Sequence, residues 1–439
     1  MAIRDCVGGG GNSLMATPDN ALPVRTLADD HPWAPLREPL FRGLWIASVI
    51  SFTGTWVQNV GSGWFMASLT PSAMMVALVQ AASSLPVFLV AIPAGALADM
   101  LDRRRLLIFA QTWMMLVAFA LATLAGLHLV GPALLLALTF LLGLGAVIND
   151  PAWQAIAPDV VSPPRLASGI ALNSVGFNIA RAIGPPLGGL VIALAGPPAA
   201  FAVNGLSFLG VILFLRGWKP QPTSTPIPLN RLLQCMGEGW RHLLTSPQVK
   251  AVLIRTGLFT LFASALWALL PLKAKPFGPI GYGVMLASFG VGAFLSSWIL
   301  PGLRIRLGST NALIAFASIT FALAMFALGS TSSLLWLCAV LFIAGGCWIL
   351  MLASLNISAQ NMSPTGVRAR SLSFYLFVLQ GGMAGGSAVW GAVASARGLR
   401  AAFSASAIGL ILGCATMVRF RLHPSAPLSP PMGVSTSTD

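Results

Sequence analysis

"GALADMLDRRRLLIF", residues 95–109, places two acids and three arginines between two long apolar segments. Only 8% of the 439 residues are charged, yet five charges fall within residues 99–105. A short charged segment between apolar stretches of about 20 residues is typical of a loop between two membrane-spanning helices. The stretch therefore predicts a hairpin of two membrane-spanning helices, and it indicates that the rest of the chain is also embedded in the bilayer.

Apolar segments recur along nearly the whole chain, in which 56% of the residues are hydrophobic. Each window is long enough to span the bilayer, and we interpret each as a helix, because a backbone in lipid must satisfy its own hydrogen bonds. The windows lie near 43–66, 72–97, 106–127, 132–156, 166–195, 198–215, 250–271, 280–300, 311–328, 333–359, 370–395 and 401–418. The predicted fold is an all-α membrane protein with twelve transmembrane helices.

The positive charge follows this predicted topology. With an even number of crossings both termini share one face, and that face carries most of the 25 lysines and arginines behind the net charge of +14. Only four cations fall on the opposite face: Lys273, Lys275, Arg397 and Arg400. The positive-inside rule then places both termini in the cytoplasm and the protein in the cytoplasmic membrane. Membrane topology thus explains the positive net charge, which does not indicate binding to nucleic acid.

Polar segments divide the chain. Residues 1–41 and 421–439 are predicted to be disordered cytoplasmic tails, because they carry no apolar core. The longest internal polar stretch, 217–248, is predicted to be a cytoplasmic linker between two six-helix bundles, 42–216 and 249–420. The five cysteines are scattered without the spacing of a disulfide framework or metal site, so no metal or other cofactor is predicted.

The two predicted bundles repeat each other. "GPPAAF" at 196–201 matches "GLRAAF" at 398–403 at an offset of 202, and the same offset carries Arg104 to Arg306 in the loop after the second helix. We infer that the bundles are pseudo-symmetric. Such paired halves are suited to rock about a site near the middle of the bilayer.

The opening loop also carries a motif. It comprises Gly95, Leu97, Asp99, Arg103 and Arg104. The pattern resembles the signature loop of the major facilitator superfamily, although Met100 replaces a usual basic residue and Asp102 a usual glycine. Three further stretches, at 149–161, 176–189 and 367–382, are similar to the bacterial subgroup of transmembrane secretion effectors. The resemblance covers about residues 37–420 and implies a secondary transporter related to enterobactin exporters and macrolide efflux proteins.

A second motif lies in the fifth window. "GPPLGG", residues 184–189, contains Gly184, Pro185, Gly188 and Gly189. It resembles the antiporter signature of drug-exporting facilitators, with Ala180 in place of an upstream glycine, and so favours export. Physically, the glycines permit close helix approach, and the prolines at 185 and 186 kink the helix. Ordinary small-residue packing is the alternative.

Asp150 is the one acid well inside a predicted window. A charge at mid-helix in a membrane is costly, so its presence needs a reason. In the superfamily an acid on the fourth helix often pairs with the arginine loop as part of a cytoplasmic gate, and an arginine of residues 103–105 is within reach. A proton-carrying role and simple structural pairing are the alternatives, and gate and carrier are compatible if protonation opens the gate.

Two arginines also fall inside windows. Arg181 lies deep in the fifth helix, at a height similar to that of Gln58 and Asn59, and Asn178 lies one turn away. These residues are predicted to form a polar patch for an anionic or hydrogen-bonding substrate group, or else a structural arginine–amide pair. Arg255, near the start of the seventh helix, is predicted to extend to the cytoplasmic surface.

The sequence thus predicts a monomeric exporter that moves an amphipathic small molecule through the lipid bilayer by alternating access and proton antiport. No P-loop motif is present to bind ATP. The alternatives are an uncoupled or uptake permease and, more remotely, a non-transporting sensor or enzyme on the same fold.

Overall fold

The computed structural model describes residues 31, 33–218, 246–361 and 368–419, and of residues 91–100, 154–155, 157–158, 361, 368–371 and 417–419 it describes the backbone only. Most of the predicted linker and of the two predicted tails therefore lies outside the described residues. Within them the regular elements are helices, without a strand. Helix starts follow local chemistry: Pro39, Pro132 and Pro247 occupy first turns, while the side chains of Asp102 and Ser309 accept hydrogen bonds from the backbone as N-caps.

Long helices account for most of the described chain. Their bounds are α1 (Pro39–Leu69), α2 (Ala73–Met100), α3 (Arg103–Gly126), α4 (Pro132–Ala155), α5 (166–195), α6 (197–217), α7 (Pro247–Ala274), α8 (Gly278–Leu307), α9 (Thr310–Ser330), α10 (Leu334–Asn361), α11 (368–397) and α12 (399–419). We call α1–α6 the N-terminal half and α7–α12 the C-terminal half. One helical stretch, Leu166–Gly217, contains α5 and α6, and another, Arg368–Arg419, contains α11 and α12.

The sequence repeat forms the same corner in both halves. Gly196 has φ 78° and ψ 172°, and Gly398, at the offset of 202, has φ 83° and ψ 166°. Both torsions lie where a side chain is strongly disfavoured, which explains the glycine at the start of each repeat. Beyond the corner Phe201 and Phe403 are fully buried in their respective halves. The repeat is therefore a packed break between the last two helices of each half.

Nine apolar helical stretches of the described chain are long enough to cross a membrane. Three of them run for 45 to 61 residues, about two to three times the length needed to span the bilayer. These three contain Gly196, Gly278 and Gly398, each with a positive φ. The helical membrane fold is confirmed, and the number of twelve crossings stays a prediction that these breaks support.

The two halves meet along two helix pairs, α2 with α11 and α5 with α8. We call the end of the bundle at connections 70–72 and 331–333 the distal end, and the end at 101–102 and 308–309 the proximal end. At the distal end Trp64 stacks on Tyr282 with ring centroids 6.5 Å apart, and the Met74 amide donates to Ser395 Oγ at 3.0 Å. The halves are thus joined to each other at the distal end.

Candidate functional site

The two halves enclose a cavity of about 400 Å³, which we call the central cavity. Its wall draws on α1, α2 and α5 from one half and on α7, α8, α10 and α11 from the other, and it extends from the middle of the bundle toward the distal end. The principal side chains are aromatic or uncharged polar: Trp56, Asn59, Gln80, Phe177, Trp267, Tyr282, Trp348 and Gln380. The cavity therefore suits a ligand with both apolar surface and hydrogen-bonding groups.

Tryptophans of both halves form the aromatic side of the central cavity. The Trp267 ring lies 5.7 Å from that of Trp348 and 6.3 Å from that of Trp56, measured between centroids. Phe289 packs behind Trp267 at 4.9 Å. The indole Nε1 of Trp267 is buried and has no acceptor among the described residues, so it is free to donate to a ligand.

A second cavity, of about 310 Å³, lies inside the N-terminal half, and we call it the inner cavity. It adjoins the central cavity, since four residues line both: Asn59, Ser62, Ser83 and Phe177. Asp150 lines the inner cavity, and its side chain is exposed there. Beside it the Gln111 Nε2 donates to Asn149 Oδ1 at 2.9 Å, with both residues buried.

Gln58 and Asn59 have different surroundings. Gln58 Oε1 accepts a hydrogen bond from Asn204 Nδ2, and this bond connects α1 to α6. Within α6, Ser207 Oγ lies 3.2 Å from Asn204 Oδ1. Asn59 faces the point where the two cavities meet. Sequence reasoning considered Gln58, Asn59 and Asn178 as polar partners of Arg181, and it missed Asn204 and Gln111. The available signal was an uncharged amide inside an otherwise apolar window.

Arg181 forms a local pair with the amide of Asn178. Its Nη2 donates to Asn178 Oδ1 at 2.8 Å, and its guanidinium lies 5.8 Å from the centroid of the Phe177 ring. Asn178 in turn donates from Nδ2 to the Ser174 carbonyl. Arg181 is absent from the described lining of both cavities, so the structure does not bring it together with Gln58 and Asn59.

The loop arginines bind groups near the proximal end. Arg104 donates from Nε to the Leu215 carbonyl at 2.6 Å and from Nη2 to the Arg216 carbonyl at 2.7 Å, which caps the end of α6. Arg103 Nη1 lies 3.5 Å from Asp159 Oδ2. The side chains of Gly95, Leu97 and Asp99 lie outside the described residues. Pairing between the arginine loop and Asp150 therefore stays a prediction.

We expect Arg104→Ala to lower the free energy of unfolding by about 1 to 3 kcal/mol, because two charge-assisted hydrogen bonds to the last turn of α6 are lost. Arg105→Ala is the matched control, since the Arg105 side chain is exposed, and we expect a change within about 0.5 kcal/mol. Chemical unfolding in detergent measures both values. Equal effects of the two substitutions would show that the helix cap has no stabilising role.

The glycine motif of α5 allows two close helix contacts. A Cβ atom at Gly188 would lie 3.1 Å from Val57 Cα on α1. A Cβ atom at Gly189 would lie 2.5 Å from the Pro279 carbonyl oxygen on α8, which is shorter than real Cβ contacts. Gly184 likewise packs on Trp56. The motif therefore seats α5 against α1 within its own half and against α8 of the other half.

The prolines of this motif affect α8 as well. Helical torsion angles continue through Pro185 and Pro186. Pro185 has no N–H to donate to the Arg181 carbonyl four residues earlier, so that carbonyl loses its helical partner. It faces Gly290 of α8, where a Cβ atom would lie 2.9 Å from the carbonyl oxygen. Contact between the halves along α5 and α8 thus depends on small residues in both helices.

Arg255 extends toward the proximal end, where its side chain is buried instead of reaching water as predicted. Its side chain is only 3% exposed, and Nη1 donates to Asn311 Oδ1 at 2.7 Å. Asn311 lies at the start of α9 and supplies a partner inside the bundle. The guanidinium is therefore held within the C-terminal half, and the water at the surface is not needed to solvate it.

Apolar helices of membrane-spanning length throughout the described residues, together with a cavity between two halves, define the class of multi-pass membrane transporters. The model of the family described as transmembrane secretion effector matches residues 30–429. The chain belongs to this family, within the major facilitator superfamily, and it is a transporter of the bacterial inner membrane, not an enzyme. The resemblance predicted from the loop motif is confirmed.

Relatives of known activity are similar over much of the chain. The multidrug efflux pump Tap of Mycolicibacterium fortuitum is 25% identical over 83% of this chain and 92% of its own. The enterobactin exporter EntS of Escherichia coli O1:K1 / APEC is 25% identical over 85% and 90%. The staphyloferrin A transporter of Staphylococcus aureus is 26% identical over 60% and 68%.

Solved structures agree on the fold. A bacterial homologue of the human lysosomal transporter Spinster, inward-facing and occupied, superposes with a TM-score of 0.70 at 14% identity, covering 88% of this chain and 98% of the other. The nucleoside transporter NupG superposes with a TM-score of 0.67 at 13% identity, covering 87% and 98%. At these identities the likeness concerns the fold alone.

Proposed function

We propose that the protein exports an amphipathic small molecule across the cytoplasmic membrane by alternating access. The observation that carries this proposal is the central cavity, whose wall is shared between the halves. A change in the tilt of one half against the other then exposes the same site to each side in turn. Both termini lie in the cytoplasm, so the distal end faces outward, and one chain supplies both halves of a working monomer.

Two observations favour an amphipathic substrate. The central cavity combines three tryptophans with the amides of Asn59 and Gln380, which suits a molecule with aromatic or apolar faces and polar groups. Relatives that span most of this chain are named as a multidrug efflux pump and an enterobactin exporter. Export of a drug, a siderophore or a similar metabolite is the function that fits both.

We infer that export is driven by proton antiport and that Asp150 has the central part. Asp150 is the one charged residue among the described residues lining the two cavities, so it is placed to exchange protons with the transport path. One proton moved down 100 mV yields about 2.3 kcal/mol, which supports roughly fifty-fold accumulation of a neutral substrate. In this proposal protonation of Asp150 also releases a cytoplasmic gate formed with the loop motif of Gly95, Leu97, Asp99, Arg103 and Arg104.

Export is tested in cells that lack or overexpress the protein. We expect overexpression to lower the steady-state content of a substrate dye several-fold, by about three- to tenfold, and an uncoupler to restore it, because the proton gradient supplies the energy. Overexpression that raises the content would establish uptake, and export that persists with the uncoupler would refute antiport. Either result would favour the alternative of an uptake or uncoupled permease.

A further inference from the structure

Six serine and threonine residues line the inner cavity, and four of their hydroxyl groups donate hydrogen bonds within their own helices. Ser48 Oγ donates to the Leu44 carbonyl at 2.6 Å, and Thr139 Oγ1 donates to the Leu135 carbonyl at 2.7 Å. The hydroxyls of Thr55 and Ser83 donate in the same way to carbonyls four residues earlier. A hydroxyl that has donated its one proton offers only oxygen lone pairs. These four lining residues therefore present acceptors to the cavity.

The amide of Gln111 adds a further acceptor at the proximal part of this cavity. Its Nε2 is used by Asn149, whereas its Oε1 is buried and has no donor among the described residues. Gln111 is only 3% exposed, so this unpaired oxygen is unfavourable unless a ligand or water pairs with it. A group that carries N–H donors satisfies it.

Asp150 makes the lining of the inner cavity negatively charged. Its carboxylate is the only charge among the described side chains that line this cavity. Arg181, the arginine inside α5, is paired with Asn178 and lies outside the lining. An acceptor-rich wall with one carboxylate favours a cation and disfavours an anion.

Among the described residues, the corresponding helices of the C-terminal half leave much less space beside Arg255. The pseudo-equivalent helices α7, α9, α10 and α12 leave a gap of only about 20 Å³, and the charge beside it is Arg255. Aromatic packing fills this half, with Phe259 5.4 Å from Phe321 and 5.6 Å from Trp348 between ring centroids. The inner cavity is therefore a particular feature of the N-terminal half and not a consequence of the repeat.

We propose that the inner cavity binds the protonated amine of the substrate while the central cavity binds its aromatic body, so that the protein exports amphipathic organic cations. This inference rests on the proposed function and names its substrate class. The two cavities adjoin at Asn59 and Phe177, so one molecule can occupy both. The tryptophans of the central cavity are compatible with a cationic ligand, since aromatic faces attract positive charge.

Binding of two dyes to the purified full-length protein in detergent tests the proposal. Rhodamine 6G is an organic cation whose charge is shared by two ethylamino N–H groups at the edge of its ring body, and fluorescein has a ring body of similar size with negative charge. By fluorescence anisotropy we expect rhodamine 6G to bind about tenfold or more tightly than fluorescein. Equal affinities, or tighter binding of fluorescein, would overturn the proposal and favour an anionic substrate.

Variants of Asp150 and Gln111, with a control at Asp102, test whether the preference belongs to the inner cavity. We expect Asp150→Asn to weaken rhodamine 6G binding about tenfold, and Gln111→Met about threefold. Asp150→Glu keeps the charge, and we expect affinity within about threefold of the parent protein. Asp102→Asn is the control for a carboxylate outside the cavities. Unchanged rhodamine 6G binding in both Asp150→Asn and Gln111→Met would place the amine elsewhere and refute the inference.

The binding result and the cellular export result are separable. A protein that exports neutral compounds in an uncoupler-sensitive manner and binds both dyes equally would refute this inference alone. A protein that binds rhodamine 6G selectively but lowers the cellular content of no dye would refute the proposed export function while the cation site stands.

Discussion

Replacing Gly189 with leucine is expected to reduce transport about tenfold or more, because the added side chain separates α5 from α8. Even a Cβ atom at this position would lie 2.5 Å from the Pro279 carbonyl oxygen and 3.2 Å from Gly283 Cα. Both neighbours are backbone atoms of the other half, so no side-chain rotation relieves the clash. The halves then cannot close at the distal end, and the alternation between two tilts is lost.

Gly210→Leu is the matched control for this prediction. Gly210 also lies within a membrane helix, α6, but a Cβ atom there meets nothing within 4 Å. We expect its transport rate to stay within about twofold of the parent protein. Dye efflux from cells, with membrane expression quantified for each variant, measures both effects. Equal transport by Gly189→Leu and the parent protein would show that the α5–α8 contact is dispensable.

The second large effect is expected for Asp150→Asn. In reconstituted vesicles we expect accumulation of a neutral substrate driven by a pH gradient to fall about tenfold or more, to the level of passive exchange, because asparagine does not titrate. Exchange of substrate between the two sides without a gradient should persist, since the central cavity is unchanged. A neutral substrate separates this loss from weaker binding of an organic cation.

Asp150→Glu serves as the control, because it keeps a titratable carboxyl group in the inner cavity, and we expect it to retain a substantial part of the driven accumulation. Normal gradient-driven accumulation in Asp150→Asn would exclude Asp150 as the proton carrier. Loss of both exchange and driven accumulation would assign it to the gate alone.

The fold was largely predictable because lipid restricts the chain so strongly. Apolar windows have few alternatives to helices in a membrane, and the charges of residues 99–105 mark a connection between two of them. The repeat at 196–201 and 398–403 also had a simple physical origin, since both glycines occupy the same positive-φ corner. The observed helix ends differ from the predicted ones by a few residues: α1 begins at Pro39, whereas the first window was predicted to begin near residue 43.

The site was predictable only in part. Asp150 was found by its charge, and it does line a cavity. The pair of Gln58 with Asn204, 146 residues apart, depends on how α1 and α6 pack and has no local signature. Arg181 was predicted near Gln58 on the basis of depth alone, but the direction in which a side chain leaves its helix decides its partner. For Arg181 that partner is Asn178, one turn away.

Distances between the halves measured by spin labels at both ends of the bundle test the central claim most directly. All five cysteines are first replaced, and labels are placed on exposed residues, at His128 and Ser332 for the distal end and at Pro163 and Arg304 for the proximal end. Alternating access predicts that substrate or a change of pH shifts the two distance distributions in opposite directions. Fixed distances at both ends, or changes in the same direction, would contradict the account.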